Sequence, residues 1–197
     1  MGFSGDLVFG RSERPLLEAP IFGSIPRQAK STIPIWSRPG GWQTLQLDYG
    51  LWSEADLPAL VEWTGTGACV ASVYDSDVAL VTGLSTDGAR WQACLNLESA
   101  SALWAEEPED IDDVSLWVDT PDFREAVRRK HAELELELPT SAQGALAWAS
   151  AVGFEGSAEL ASIEDLLLSQ ELFVEELFDA LLDALGFPEA AETLNVP

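Results

Sequence analysis

The stretch of sequence that decides the fold covers residues 68–97 and reads ACVASVYDSDVALVTGLSTDGARWQACLNL. Three apolar runs in it are separated by two groups of turn-forming residues, DSD at 75–77 and STDG at 85–88. Asp and Ser favour tight turns, and the glycine that follows Asp87 supplies the positive φ that hairpin loops need. The stretch therefore predicts a three-stranded antiparallel meander, with residues 78–84 as its central strand because they are apolar on both faces.

Weaker patterns place further elements around this meander. Residues 42–49 alternate apolar and polar side chains and predict another strand, and residues 5–10 predict a short strand at an edge of the sheet. Five prolines between residues 11 and 41 break helices and remove hydrogen-bond donors, so we expect an irregular segment that wraps the surface. The remaining predictions are a strand over 114–118 and helices after Ser53 and over 99–106, 121–136, 140–152 and 162–185.

These elements predict an α+β fold, in which helices pack on an antiparallel sheet of about four or five strands and the C-terminal part is helical. Pro139 predicts a break between two of the helices, and Gly186 predicts the end of the last one. The 197 residues fit a single domain. We expect it to comprise an irregular wrap over 1–41, a mainly sheet part over 42–118 and a mainly helical, acidic part over 119–197.

The charge of the chain indicates which partners it favours. The net charge is −24, from 34 acidic and 10 basic residues, and residues 131–197 contain no Lys or Arg. Such a chain repels phosphate backbones and anionic lipid surfaces, so we expect no direct nucleic-acid binding and no membrane binding. A basic protein partner is electrostatically favoured.

The helix predicted over 162–185 carries the clearest candidate for a binding surface. On a helical wheel its apolar and acidic side chains separate onto opposite halves. Like charges four residues apart cost roughly 1 kcal/mol for three such pairs, so a face selected for stability alone would usually contain lysines. We call the acidic face the acidic ridge and predict that it binds the partner; its residues are Glu171, Glu175, Glu176, Asp179 and Asp183.

Two other interpretations of the acidic ridge remain open. It can be the solvated face of a packed helix, which is the ordinary role of a run of charges. It can also pack against the basic cluster of the 121–136 helix, which would neutralise part of its charge within the protein. That cluster consists of Arg124, Arg128, Arg129 and Lys130.

Few residues offer catalytic or metal-binding chemistry. His131 lies among charged residues and is expected at the surface. Cys69 and Cys94 fall on apolar strands separated by a central strand, about 9–10 Å apart, so two free core thiols are expected. Asp75 and Asp77 can hold Mg²⁺ through their carboxylates, although Asp is also an ordinary hairpin residue. No cofactor is predicted.

Two functions are consistent with these observations. The first is a non-enzymatic interaction protein whose acidic C-terminal half binds a basic partner, as inhibitor or immunity proteins and nucleic-acid mimics do. The second is an enzyme or small-ligand-binding protein with a Trp- and Asp-lined site near the 75–77 hairpin and the 11–41 segment. The chain shows no signal peptide and no long apolar run, so a cytoplasmic location is expected.

Overall fold

The computed structural model describes residues 2–106, 117–118, 120–154 and 158–190. These residues form an α+β fold of six β-strands and six α-helices. The strands are β1 (Gly5–Arg11), β2 (Ile35–Arg38), β3 (Trp42–Asp48), β4 (Ala68–Tyr74), β5 (Val78–Leu84) and β6 (Arg90–Leu95). The helices are α1 (Arg27–Lys30), α2 (Asp56–Thr64), α3 (Leu97–Leu103), α4 (Pro121–Ala151), α5 (Leu160–Leu168) and α6 (Val174–Ala184).

All six strands form one antiparallel sheet in the order β2-β3-β1-β4-β5-β6. The predicted meander is confirmed as β4, β5 and β6, and the strand predicted over 42–49 is β3. The strand predicted over 114–118 falls mainly outside the described residues, and 117–118 form a turn.

The edge position predicted for residues 5–10 is wrong. The strand β1 pairs with β3 on one side and β4 on the other, so it is an interior strand. Val8 and Phe9 point to opposite faces of the sheet, and neither has exposed surface. Burial on both faces is what an interior strand requires.

The sheet separates two apolar cores. On one face, Val8, Leu45 and Val70 pack beneath α2. On the other face, Phe9 and Trp91 belong to the core that contains the apolar sides of α4, α5 and α6. The acidic C-terminal helices therefore cover one face of the sheet, while α2 covers part of the other.

The 11–41 segment is more ordered than the predicted irregular wrap. It contains β2, α1 and two 3₁₀ turns, and Leu16, Leu17 and Phe22 are buried in the core beside α2. Gln43 of β3 fixes the start of this segment. Its amide oxygen accepts a hydrogen bond from the Leu16 N–H at 3.0 Å, and its amide nitrogen donates to two carbonyls of the segment.

The break predicted at Pro139 is wrong, because Pro139 lies inside α4, which runs unbroken over 31 residues. A proline inside a helix lacks the N–H that would bond to the carbonyl four residues earlier. The cost is offset by burial on either side, since Leu138, Ala142 and Trp148 are all buried in the core. Packing of the whole helix thus overrides a local preference.

The single helix predicted over 162–185 is also wrong, because the chain forms α5 and α6 with residues 169–173 between them. The cause lies outside the helices. The Val174 N–H donates to the Ser76 carbonyl at 2.8 Å, so the chain leaves helical geometry to dock on the hairpin between β4 and β5. The predicted stop at Gly186 is confirmed by its φ of 93° just after α6.

Among the described residues, no helix combines the length and the apolar character that crossing a bilayer requires.

We predict that Pro139→Ala stabilises the protein by about 1–3 kcal/mol, since the alanine restores a helical hydrogen bond and removes a steric clash. Pro139 is exposed, so the change leaves no cavity. Urea unfolding followed by circular dichroism measures the difference. The neighbouring exposed Thr140→Ala serves as control and should shift stability by less than about 0.7 kcal/mol. A loss of stability in Pro139→Ala would contradict the argument.

Candidate functional site

The predicted metal ligands Asp75 and Asp77 lie in the hairpin between β4 and β5. The turn is closed by the Asp77 N–H, which donates to the Tyr74 carbonyl at 3.0 Å. Asp75 and Ser76 both have a positive φ, of 51° and 60°, as in the primed turns that suit hairpins. The hairpin interpretation of these residues therefore has direct support.

The side chains of this hairpin tie the N-terminal strand to α6. The Asp75 carboxylate accepts the Gly2 N–H at 2.7 Å, and the Ser76 hydroxyl oxygen accepts the Phe3 N–H at 2.8 Å. The same hydroxyl donates to the Glu175 carboxylate at 2.7 Å. Ser76 is buried and Glu175 is half-buried, so this bond ties one residue of the acidic ridge to the hairpin.

A magnesium site at Asp75 and Asp77 stays a prediction. Asp75 already accepts a main-chain hydrogen bond. No group of three or more His, Cys, Asp or Glu side chains able to hold a metal occurs within the described part of the chain. Hard cations take six or more oxygen ligands in proteins, so water would have to supply most of them here.

Two residues of the acidic ridge are engaged by Arg38 of β2. The Arg38 guanidinium donates to the Asp179 carboxylate at 2.9 Å, to the Asp183 carboxylate and to the Pro188 carbonyl at 3.0 Å. The Arg38 side chain is 1% exposed, whereas the Asp179 and Asp183 side chains are 59% and 44% exposed. A buried cation is thus held by two carboxylates that still reach water.

Partial burial shifts the pKa of the Asp179 carboxyl. It raises the pKa of the Asp179 carboxyl, because the loss of water disfavours the charged form more than the Arg38 guanidinium favours it. The nearby Asp183 carboxylate acts in the same direction as burial. These two acids therefore serve the fold, and their charge is partly neutralised inside the protein.

The basic cluster on α4 has other partners than the acidic ridge. Arg128 bonds to Glu125 at 2.6 Å, and Lys130 bonds to Glu133 at 2.6 Å, both on the same helix. His131 lies 3.6 Å from Glu135, also one turn away. The structure does not bring these residues to the ridge; the cation that it brings there is Arg38, which is 141 and 145 residues distant from its carboxylate partners.

The connection between α5 and α6 presents an exposed surface of mixed chemistry. Three large apolar side chains lie there, of which Leu172 is 78% exposed, and three acidic side chains flank them. Gln170 donates a hydrogen bond to Glu98 of α3, which anchors the connection to the rest of the protein. We call this surface the junction patch; its residues are Asp165, Leu168, Glu171, Leu172, Phe173 and Glu176.

A second candidate site lies on the opposite face of the sheet, where one end of that face is not covered by α2. It is a recess of about 320 Å³ formed by β1, β4 and the connection from β3 to α2. Asp6 is 8% exposed in it and accepts a hydrogen bond from the Ser72 hydroxyl at 2.7 Å. Its lining comprises Gly5, Asp6, Tyr49, Gly50, Trp52, Glu54, Ser72, Val73 and Tyr74.

The recess corresponds in part to the predicted Trp- and Asp-lined site. It contains a tryptophan and an aspartate and lies next to the 75–77 hairpin, but the aspartate is Asp6 and the 11–41 segment does not line it. Burial raises the pKa of the Asp6 carboxyl, and the hydrogen bond from Ser72 opposes that shift. A sequence signal existed: an aspartate stands inside an apolar strand.

A larger cavity of about 650 Å³ lies between β6 and α4. One basic residue, Arg90, and one acidic residue, Glu137, line it, so its charge favours neither sign. The two cysteines offer no reactive thiolate. Both are free, and burial raises the pKa of both thiols, that of Cys94 to about 12 with a further contribution from Glu137.

Comparisons of the chain with protein-family models, with curated proteins and with solved structures find no match. The function is therefore inferred from the arrangement of its own residues.

We predict that removing both ridge carboxylates bonded to Arg38 costs more stability than removing Arg38. In Asp179→Ala/Asp183→Ala the guanidinium stays buried without a counter-ion, a situation that typically costs about 3–5 kcal/mol. In Arg38→Met the two carboxylates are already partly exposed and regain water, so the loss is smaller. Urea unfolding measures both.

The matched control is Asp165→Ala/Glu176→Ala, which removes the same charge from exposed positions and should change stability little. Equal losses in the two Arg38-site variants, or a larger loss in Arg38→Met, would contradict this account.

We predict that Asp6→Asn raises the melting temperature at neutral pH and that the gain shrinks as the pH falls to about 4. Burial raises the pKa of Asp6 in the folded state, so this carboxyl favours folding most when it is protonated. Its contribution to stability is lost as the pH rises through the folded-state pKa. Asparagine stays neutral and can still accept the Ser72 hydrogen bond. Glu54 is the other acidic side chain that lines the recess, and it is present in both proteins.

Thermal unfolding at a series of pH values provides the measurement. A gain that is independent of pH, or one that grows towards acid pH, would show that charge burial at Asp6 is not its cause.

Proposed function

We propose that the protein is a non-enzymatic interaction protein whose acidic C-terminal half binds a basic protein partner through the junction patch. The observation that carries this proposal is the exposure of Leu168, Leu172 and Phe173 within six residues of each other. Clustered apolar side chains with a polar rim are typical of protein–protein interfaces.

The charge around these side chains supports a basic partner. Glu171 and Glu176 are exposed and have no ion-pair partner within the described residues. The net charge of −24 adds a long-range attraction for cationic proteins. An interface of this kind combines apolar contacts, which supply affinity, with acidic neighbours that supply orientation and a fast encounter.

The residues of the acidic ridge have two different roles in this proposal. Asp179 and Asp183 bind Arg38, and Glu175 binds Ser76, so these three residues position α6 within the protein. Glu171 and Glu176 remain available to a partner. Of the five ridge residues predicted to bind the partner, two keep that role in this proposal. They are Glu171, in the connection between α5 and α6, and Glu176, in the first turn of α6, together with the apolar residues beside them.

The class of partner follows from this chemistry. A protein surface with lysines or arginines around an apolar side chain fits the patch, as the surface of a nucleic-acid-binding toxin or enzyme would. The protein then acts as an inhibitor, an immunity-type protein or a mimic of a nucleic acid. In this proposal it works in the cytoplasm, where its two free thiols stay reduced.

The test begins with capture of basic proteins from a lysate on the immobilised protein at low salt. A captured protein is then purified, and its dissociation constant is measured by calorimetry against a set of variants. We expect Glu171→Lys/Glu176→Lys and Leu172→Asp each to weaken binding at least about tenfold. We also expect affinity to fall as salt is raised, because exposed charges are screened.

The matched control is Glu13→Lys/Glu18→Lys. It makes the same change in net charge at exposed positions away from the junction patch. Binding should survive in this control. Equal losses of affinity in the control and in Glu171→Lys/Glu176→Lys would show that binding depends on general electrostatic attraction alone. That result would overturn the proposal.

A further inference from the structure

The recess at Asp6 lies where the covering of one sheet face stops. Side chains alternate along β1 and β4, so Asp6 and Ser72 share a face with Val8 and Val70. The latter two lie in the core that includes Leu57 of α2. Beyond the end of α2 the same face is open, and the recess of about 320 Å³ forms there.

The lining of the recess is acidic and aromatic. Among the described residues, its lining carries the Asp6 and Glu54 carboxylates and no basic side chain. Its aromatic members are Trp52 and both tyrosines of the chain, Tyr49 and Tyr74. Tyr49 is 85% exposed and Tyr74 45% exposed, so both side chains are accessible to a ligand.

Asp6 is a buried carboxylate that lacks a cation. The Ser72 hydroxyl is its hydrogen-bond donor, and no Lys, Arg or His side chain lies within ion-pair distance of it in the part of the chain that the structure describes. A buried charge without a counter-ion is costly to the fold. Such a group lining an open recess is a ready counter-ion for an incoming cation.

We propose that this recess binds one organic cation, an alkylammonium or guanidinium group, with Asp6 as its counter-ion and Tyr49 and Tyr74 as aromatic walls. The face of an aromatic ring attracts a cation through its quadrupole, and the attraction grows when water is excluded. The recess is at the small end of the size range of ligand pockets, which suits one cationic group rather than an extended ligand.

The lining favours an organic cation over other ligands. An anion would meet two carboxylates and no basic side chain. A hard metal ion would find two carboxylates among aromatic rings, which do not serve as its ligands. A neutral apolar molecule would leave the Asp6 carboxylate unpaired in a drier site. An organic cation satisfies the carboxylate and the aromatic rings together.

This site is independent of the proposed partner-binding surface. The junction patch belongs to the helices that cover the other face of the sheet. The same cationic chemistry can arrive as a free amine or as a Lys or Arg side chain of a protein. Loss of one binding activity therefore leaves the other intact, and the two proposals fail separately.

The two tyrosines provide a direct experiment. The protein labelled with 3-fluorotyrosine gives two ¹⁹F NMR signals, one from Tyr49 and one from Tyr74, and both report on the recess. Choline and L-argininamide are the cationic probes, and 3,3-dimethylbutan-1-ol is the neutral isostere of choline. We expect both signals to shift and saturate with at least one cationic probe and to move little with the neutral isostere.

Variants assign the effect to the recess. Asp6→Asn should weaken binding at least about tenfold, the loss expected when a hydrogen-bonded charge is removed. Glu54→Gln, at an exposed position, should weaken it by a smaller factor and tests the site without touching the core. Asp48→Asn is the control, because it removes an exposed charge beside Tyr49 that does not line the recess. It should bind as the unchanged protein does.

Three outcomes would overturn the proposal. The first is that neither cationic probe gives a saturable shift of either tyrosine signal. The second is an equal shift with the neutral isostere, and the third is equal binding by Asp6→Asn and the unchanged protein. A comparison of peptide and free cation distinguishes the two sources of the cation. Tighter binding of Gly-Arg-Gly amide than of L-argininamide supports a protein side chain as the ligand. Tighter binding of the free cations supports a small molecule.

Discussion

A cluster of aromatic rings holds the two halves of this protein together. Phe9 of β1 stacks on Trp42 of β3 with ring centroids 4.9 Å apart. Phe187, just after α6, meets both rings edge-on, at 4.9 and 4.8 Å, and Trp148 of α4 completes the cluster. Edge-to-face and stacked pairs of this kind add directional attraction to the burial of large apolar surfaces. Strands from the start of the chain and helices from its end therefore share one core.

This shared core explains the arrangement of charge on α6. Packing the apolar side of the helix on the sheet brings its acidic side to Arg38 of β2 and to the hairpin at Ser76. Two like charges one turn apart cost little when a guanidinium lies between them. A run of acids that indicates a binding surface in the sequence is thus divided in the fold. One part positions the helix, and the other part faces solvent.

Sequence patterns gave the local features of the fold and missed those set by distant contacts. The meander and the stop at Gly186 follow from alternation and from glycine, which are local signals. The break before Val174 depends on a hydrogen bond to a hairpin almost 100 residues away. The cation that binds the ridge, Arg38, is more distant still, at 141 and 145 residues from its two carboxylate partners. The recess at Asp6 can be predicted only if β1 is known to be an interior strand and α2 is known to leave one end of β1 uncovered. The sequence of β1 alone shows neither fact.

The position of Phe187 also bears on how the protein is made. During synthesis the N-terminal strands leave the ribosome first and can pair with β3 and β4 as soon as those follow. The aromatic cluster stays incomplete until residue 187 has left the exit tunnel, because that ring contacts Phe9, Trp42 and Trp148. Until then one face of the sheet presents indole and phenyl rings to the cellular milieu. The core on this face of the sheet is therefore completed only when the segment after α6 packs against the strands.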